Sequence, residues 1–133
     1  FDHYCHLRHD VTSPGGPIKR DLPPADDLRL APGIEWMIAG LPQMCSKDLD
    51  SLEKPILLRL TGPGGGEWIL HNSERNDLIE INENSGHETA ATITSESHNF
   101  VSWATHRSSW REHCELEGDT EYLLTVIDSI NII

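Results

Sequence analysis

The sequence is poor in positive charge: ten Lys and Arg stand against 22 Asp and Glu, giving a formal net charge of −12 and a pI near 4.9. Sequence-independent binding to a phosphate backbone needs Lys and Arg to displace counterions, so nucleic acid is excluded as an expected partner. Aromatic residues make up only 6% of the chain. A row of them stacked on bases would also need basic neighbours, which are scarce here. No apolar run approaches the roughly 18 residues of a membrane helix. The longest candidate, IEWMIAGLP, is interrupted by Glu35, Gly40 and Pro42, and no membrane partner is expected. Cys5, Cys45 and Cys114 are odd in number, widely spaced and without any C-x-x-C pair. That pattern builds no disulfide framework and points to a reducing cytoplasm. No basic segment followed by an apolar one marks a signal peptide. The chain opens on Phe1 rather than Met and reads as a processed or trimmed polypeptide.

What is present divides into two unequal parts within 133 residues, a length that suits one domain, or one small domain with a piece of another. Residues 1–50 read as a helical fragment. A His-rich segment, FDHYCHLRHD, is followed by the loop VTSPGGPIKRDLPPADD, whose four prolines and two glycines cannot continue a helix. Ile34, Met37, Ile38 and Leu41 then recur at helical spacing, Pro42 does not end the helix, and Ser46-Lys47-Asp48 marks its exit.

Residues 51–133 read as an α+β layer. PILLRLTG and EWILHN form a hairpin about Pro63-Gly64-Gly65-Gly66, and DLIEINEN and HETAATITS supply two more strands. In DLIEINEN either Leu78 or Ile79 alternates with Ile81. Ser97 is placed to N-cap a helix HNFVSWATHR, HCELEGD is a short strand, and EYLLTVIDSINII is a last helix with Tyr122, Leu123, Val126, Ile127 and Ile130 on one stripe. The order β-β-β-β-α-β-α predicts a mostly antiparallel sheet with helices on one face.

The glycine turn lacks the Lys-Ser/Thr of a phosphate-binding loop and leads into a strand, so it reads as a hairpin turn. Trp68, Trp103 and Trp110 read as packing residues, and no serine sits in a G-x-S-x-G elbow. Chemistry is concentrated at the start. On an α-helix Asp2 and His6, His6 and His9, and His6 and Asp10 share a face. Imidazole and carboxylate at that spacing suit a divalent metal such as zinc, though one helix supplies only part of a ligand set. A solvated, His-rich helix end is the alternative. Cys5, one residue from His6, faces away and reads as a buried structural thiol.

The opening D-x-x-x-H followed by His9-Asp10-Val11 resembles the metal-ligand helix of the mycothiol-dependent maleylpyruvate isomerase family, roughly E-x-x-x-H-x-x-D-[IV]-R. That family joins a DinB-like helical bundle to a C-terminal domain resembling sterol carrier protein. LRLTGPGGGEW, FVSWATHR and ELEGDTEYLLTVIDSINII are similar to segments of that C-terminal domain, in the same order. The resemblance implies that residues 1–50 are the end of the DinB-like bundle and that residues 51–133 are sterol-carrier-like. It places Asp2 on the family's ligand Glu and His6 on its ligand His, with His9 as a substitute.

Two departures accompany this match. Asp2 is a methylene shorter than Glu, and the spacing from His6 to Asp10 is one residue longer than in the family. Sliding the alignment instead sets His3 and Leu7 opposite the ligands. A further family ligand lies on an earlier helix outside this sequence. Trp103-Ala104-Thr105-His106-Arg107 fits the family's W-x-x-x-R, which implies that Arg107, with Arg111 as backup, grips a carboxylate; the bland reading is a cation at a helix end. The implied function is a zinc- and thiol-dependent isomerase or transferase, with mycothiol or a related thiol as cofactor and a small carboxylate as substrate. The alternative is a non-catalytic or degenerate sterol-carrier-like module that binds an apolar ligand or packs on a partner.

Overall fold

A computed structural model describes residues 2–12, 16–45, 52–73, 79–84 and 86–132, with Asp2 described in its backbone alone. The helix exit expected at Ser46-Lys47-Asp48, and Leu78, lie outside the described residues. Helix α1 (Asp2–Cys5) widens at once into a π-helical turn, His6–Val11, closed by the Thr12 N–H on the Leu7 carbonyl at 3.0 Å. Helix α2 runs from Asp27 to Cys45. It starts well before the periodic residues because Asp26 caps it: the Asp26 Oδ1 accepts from the Arg29 N–H at 3.0 Å.

The sheet contains β1 (Ile56–Thr61), β2 (Gly66–Asn72), β3 (Ile79–Glu83), β4 (Ala91–Glu96) and β5 (Cys114–Gly118), in the spatial order β3-β2-β1-β4-β5. Every neighbouring pair is antiparallel except β1 and β4, which run parallel from Ile56 beside Ala91 to Thr61 beside Glu96. The expected α+β layer, with a mostly antiparallel sheet, is the observed one. Alternation sends Ile56, Leu58, Leu60, Leu70, Ile79, Ala91 and Ile93 to one face. There they share a single core with Cys5, with the buried side of α2, and with Phe100, Val101 and Trp103 of α3 (Ser97–Trp103). Leu123 and Val126 of α4 (Thr120–Val126) complete it. Among the described residues, the α-helices therefore lie on that face.

The other face carries Leu57 and Ile69 as cross-strand partners, only 6% and 5% exposed. They sit among polar pairs: Arg59 Nε on Glu67 Oε1 at 2.6 Å, Asn84 Nδ2 on Glu67 Oε2 at 2.6 Å, and Asn82 against His71 at 2.9 Å.

Two expectations shift. Ser97 does not cap α3 with its side chain. Its hydroxyl donates to the Thr61 carbonyl at 3.0 Å and contacts the Pro63 carbonyl, tying the helix start to the β1–β2 turn. The last helix is also shorter than its apolar stripe: α4 gives way to a 3-10 turn, Ile127–Ser129, and then to an extended tail. The tail is held from outside, with the Ile132 N–H on the Ala104 carbonyl at 2.7 Å and the Asn131 N–H on Cys45 Sγ at 3.3 Å. Those bonds replace the helical ladder. Trp103 is buried, with its indole N–H on Ser95 Oγ at 3.1 Å and its ring edge-on to Phe100. Trp68 and Trp110 pack partly against the core.

The glycine run does form the hairpin turn, and it docks on α2. At Gly64, φ is +70°, and an added Cβ would stand 2.9 Å from the Ala31 backbone nitrogen. Gly64→Ala should therefore lower stability by about 2 kcal/mol, combining a left-handed backbone with a backbone clash. Gly40→Ala, whose Cβ meets only Met44 Sδ at 3.5 Å inside α2, should raise stability by up to about 0.5–1 kcal/mol. Urea midpoints of the two variants check this pair.

Candidate functional site

Four of the residues singled out from the sequence meet at one corner, where the π-helical turn lies beside the loop that follows α3. The Arg107 guanidinium grips Asp10 with two bonds, Nε to Oδ1 at 2.8 Å and Nη2 to Oδ2 at 3.1 Å. His6 Nδ1 lies 2.5 Å from the same Oδ2. The hydrogen bond from Arg107, followed by that from His6, holds the Asp10 carboxyl at about 2, below its ordinary 3.8. Asp10 in turn raises Arg107.

His6 and Asp10 share a face, as their spacing predicts, whereas His6 and His9 do not converge on a common partner. The i→i+5 winding of the π turn brings i, i+4 residues closer to alignment and swings i, i+3 residues apart. His9 instead stacks on His98, with ring centroids 5.0 Å apart at 29°. His9 Nε2 and His98 Nδ1 are both buried without a hydrogen-bond partner. Burial, then the neighbouring His98 and Arg107, push His9 down to about 4 from 6.5, and burial lowers His98 as well. The Asp2 side chain lies outside the described residues, and Cys5 is buried in the core, as expected. Among the described residues, no three His, Cys, Asp or Glu side chains come together to hold a metal ion. Arg111, the backup cation, lies 4.2 Å over the Trp110 ring and 3.6 Å from Asp128.

A second place has the shape of a binding site. An open cleft of about 830 Å³ lies between α2, the β1–β2 turn and the β2–β3 edge. Three stripes along α2 explain it. One stripe, with Leu30, Ile34, Met37, Leu41 and Cys45, faces the core. A second, with Asp27, Ala31, Glu35, Ile38 and Pro42, walls the cleft. A third, with Leu28, Pro32, Trp36, Gly40 and Met44, faces outward.

The opposite wall of the cleft is Gly64-Gly65-Gly66, Glu67, Trp68, Ile81, Glu83 and Asn84. Asp27 fixes the near end, its Oδ1 accepting the Gly64 N–H at 2.7 Å. The Trp68 ring folds back over Gly66, where an added Cβ would stand 2.7 Å from the ring. The lining of the cleft was not legible in the sequence, because core periodicity alone hides the second stripe of α2, and the glycine run reads as a turn without showing what it docks on. Among the described residues, no helix is long and apolar enough to cross a membrane.

No protein-family model matches the chain, and no curated protein does. Solved structures do match. The sterol carrier protein domain 2 of Helicoverpa armigera aligns with a TM-score of 0.55 over 82% of this chain and 91% of its own, at 8% identity. Sterol Carrier Protein 2 Like 2 from Aedes aegypti aligns at 0.55 over 76% of this chain and 97% of its own, at 13% identity. The chain has the sterol carrier protein 2 fold. The sterol-carrier part of the resemblance is thereby borne out at the level of fold. The comparisons lend no support to the maleylpyruvate isomerase or DinB-like part. Within this sterol carrier protein 2 fold, the open cleft belongs to the groove between the longest helix and the sheet edge, and the Asp10 corner lies at the end of α3.

The corner sets two separate windows in the pH dependence of stability. An unfolded His9 would take up a proton near 6.5, while the folded one resists to about 4, so stability falls as pH drops from about 6.5 to about 4. Asp10 is depressed from 3.8 to about 2, so its contribution is present above about pH 4 and lost as pH falls towards 2. Urea midpoints measured stepwise in pH should show both windows. His9→Phe should flatten chiefly the upper one and Arg107→Gln the lower one.

Proposed function

We propose that the chain is a non-catalytic carrier module that holds one small, apolar-bodied molecule in the cleft between α2 and the β2–β3 edge. The observation that carries this reading is the cleft's wall. Ala31, Ile38, Ala39, Pro42, Trp68 and Ile81 give it an apolar strip beside polar and acidic residues, in a volume suited to a small ligand. The sterol carrier protein 2 fold is consistent with that role, although a fold by itself does not fix a function. A neutral fluorescent probe, N-phenyl-1-naphthylamine, should bind saturably at one site per chain. Ala39→Trp, on the exposed cleft wall, should weaken that binding at least about tenfold while leaving the circular dichroism spectrum unchanged. Binding that survives this filling would place the ligand elsewhere and sink the carrier reading.

A second reading is a zinc- and thiol-dependent isomerase or transferase acting on a small carboxylate. It draws on the convergence of His6, Asp10 and Arg107 at one corner. The described residues do not fit a zinc ion, however. Both Asp10 oxygens are engaged by Arg107, and His9 is turned onto His98. The Arg107 fork that would hold a carboxylate substrate is itself closed on Asp10. No chemical step through zinc or mycothiol is therefore derived. Elemental analysis separates the two readings. The isomerase reading expects stoichiometric zinc that disappears in the Asp2→Ala/His6→Ala double variant; the carrier reading expects the two proteins to be alike.

A further inference from the structure

Resting on the carrier reading of the same cleft, we propose that it selects an amphipathic ligand with a cationic, amine-type head group and disfavours a fatty-acid carboxylate. The carboxylate-bearing residues of the cleft lining are Asp27, Glu35, Glu67 and Glu83, with no Lys or Arg, but alternation turns the Glu67 carboxylate to the opposite face of the sheet, onto Arg59 and Asn84. Their engagement differs. Asp27 receives the Gly64 N–H, and Glu67 receives Arg59 and Asn84. Glu35 and Glu83 are exposed and make no hydrogen bond or ion pair among the described residues. Two uncompensated negative charges thus stand at the mouth of an apolar recess, on a chain whose net charge is −12.

One feature independent of the acids favours the same ligand. The half-buried Trp68 ring lines the recess, and an indole face attracts an ammonium group through its quadrupole. An alkyl chain lying along Ala39 and Ile81 would bring its head group to the carboxylate rim. A cation there meets attraction from Glu35 and Glu83, and a carboxylate meets repulsion from both.

Matched twelve-carbon amphiphiles test this below their micelle concentrations: dodecyltrimethylammonium and laurate, each displacing N-phenyl-1-naphthylamine at physiological salt. The ammonium should bind at least about tenfold more tightly than laurate. Glu35→Gln/Glu83→Gln should bring the two within about threefold. Glu115→Gln/Glu117→Gln, on β5 away from the cleft, should leave the ratio nearly unchanged. Equal or tighter binding of laurate overturns the charge selection and leaves the carrier reading intact. An equal collapse of the ratio in the β5 pair overturns it too, because net charge rather than the rim would then be responsible. If the neutral probe itself fails to bind the wild-type chain, the carrier reading fails and this inference falls with it.

Discussion

The seating of the Gly62–Gly66 turn against the first turns of α2 is the contact on which the rest of the molecule depends. Gly64 approaches the Ala31 backbone more closely than any side chain would permit, and Asp27 accepts its N–H. Ser97 joins the same knot from the third side, through the Thr61 and Pro63 carbonyls. Three elements distant in sequence are thereby fixed at one point: the first turn of the long helix, the first hairpin and the start of α3. With that point fixed, α2 leans along the sheet with its core stripe inward. Its second stripe is held off the β2–β3 edge, and this separation is the cleft.

The opposite end of the molecule is held by charge. Asp10 joins a residue near the start of the chain to one 97 positions later, with His6 as a third partner. In a chain so rich in carboxylates, a well-placed guanidinium is scarce, and here the chain's own Asp10 takes it. This arrangement accounts for the one consistent distortion near the N-terminus. The wider π turn positions His6 and Asp10 together and turns His9 inward onto His98, where two imidazole nitrogens are left without partners. Neutral imidazoles tolerate that position and imidazolium ions do not.

Much of this was legible in the residues. The five strands of the described sheet were legible, two from period-two alternation and three as short runs bounded by turn residues, and the order of elements implied a one-sided layer. The His6–Asp10 pairing followed from spacing alone. The exceptions share a physical cause: each was decided by a partner far away in sequence. Ser97 was read as a cap from local chemistry, but the turn 34 residues earlier claims its hydroxyl. The tail after α4 was read as helix from its apolar stripe, but Ala104 and Cys45 draw its backbone into an extended path. The cleft lay hidden because α2 is apolar on nearly every side. A periodicity search finds the core stripe and has no reason to divide the remaining residues between a recess and open solvent.

The parallel pairing of β1 with β4 bears on how the chain reaches this state. β1, β2 and β3 form a local meander, whereas β4 must return past two strands to reach β1, pairing Ile56 with Ala91. Contacts of such sequence separation form slowly, since their loop closes before they are rewarded. Without β4, the strand at the centre of the sheet would be an edge, displaying I-L-L-R-L-T with the backbone groups of that side unpaired. Arg59, in the middle of that run and on the face away from the core, is the residue type that discourages one such edge from adding to another. Its ion pair with Glu67 across the hairpin is already available before the sheet closes. Were β1 left as an edge, Arg59 would be the one charge in its I-L-L-R-L-T run that opposes pairing with a second copy.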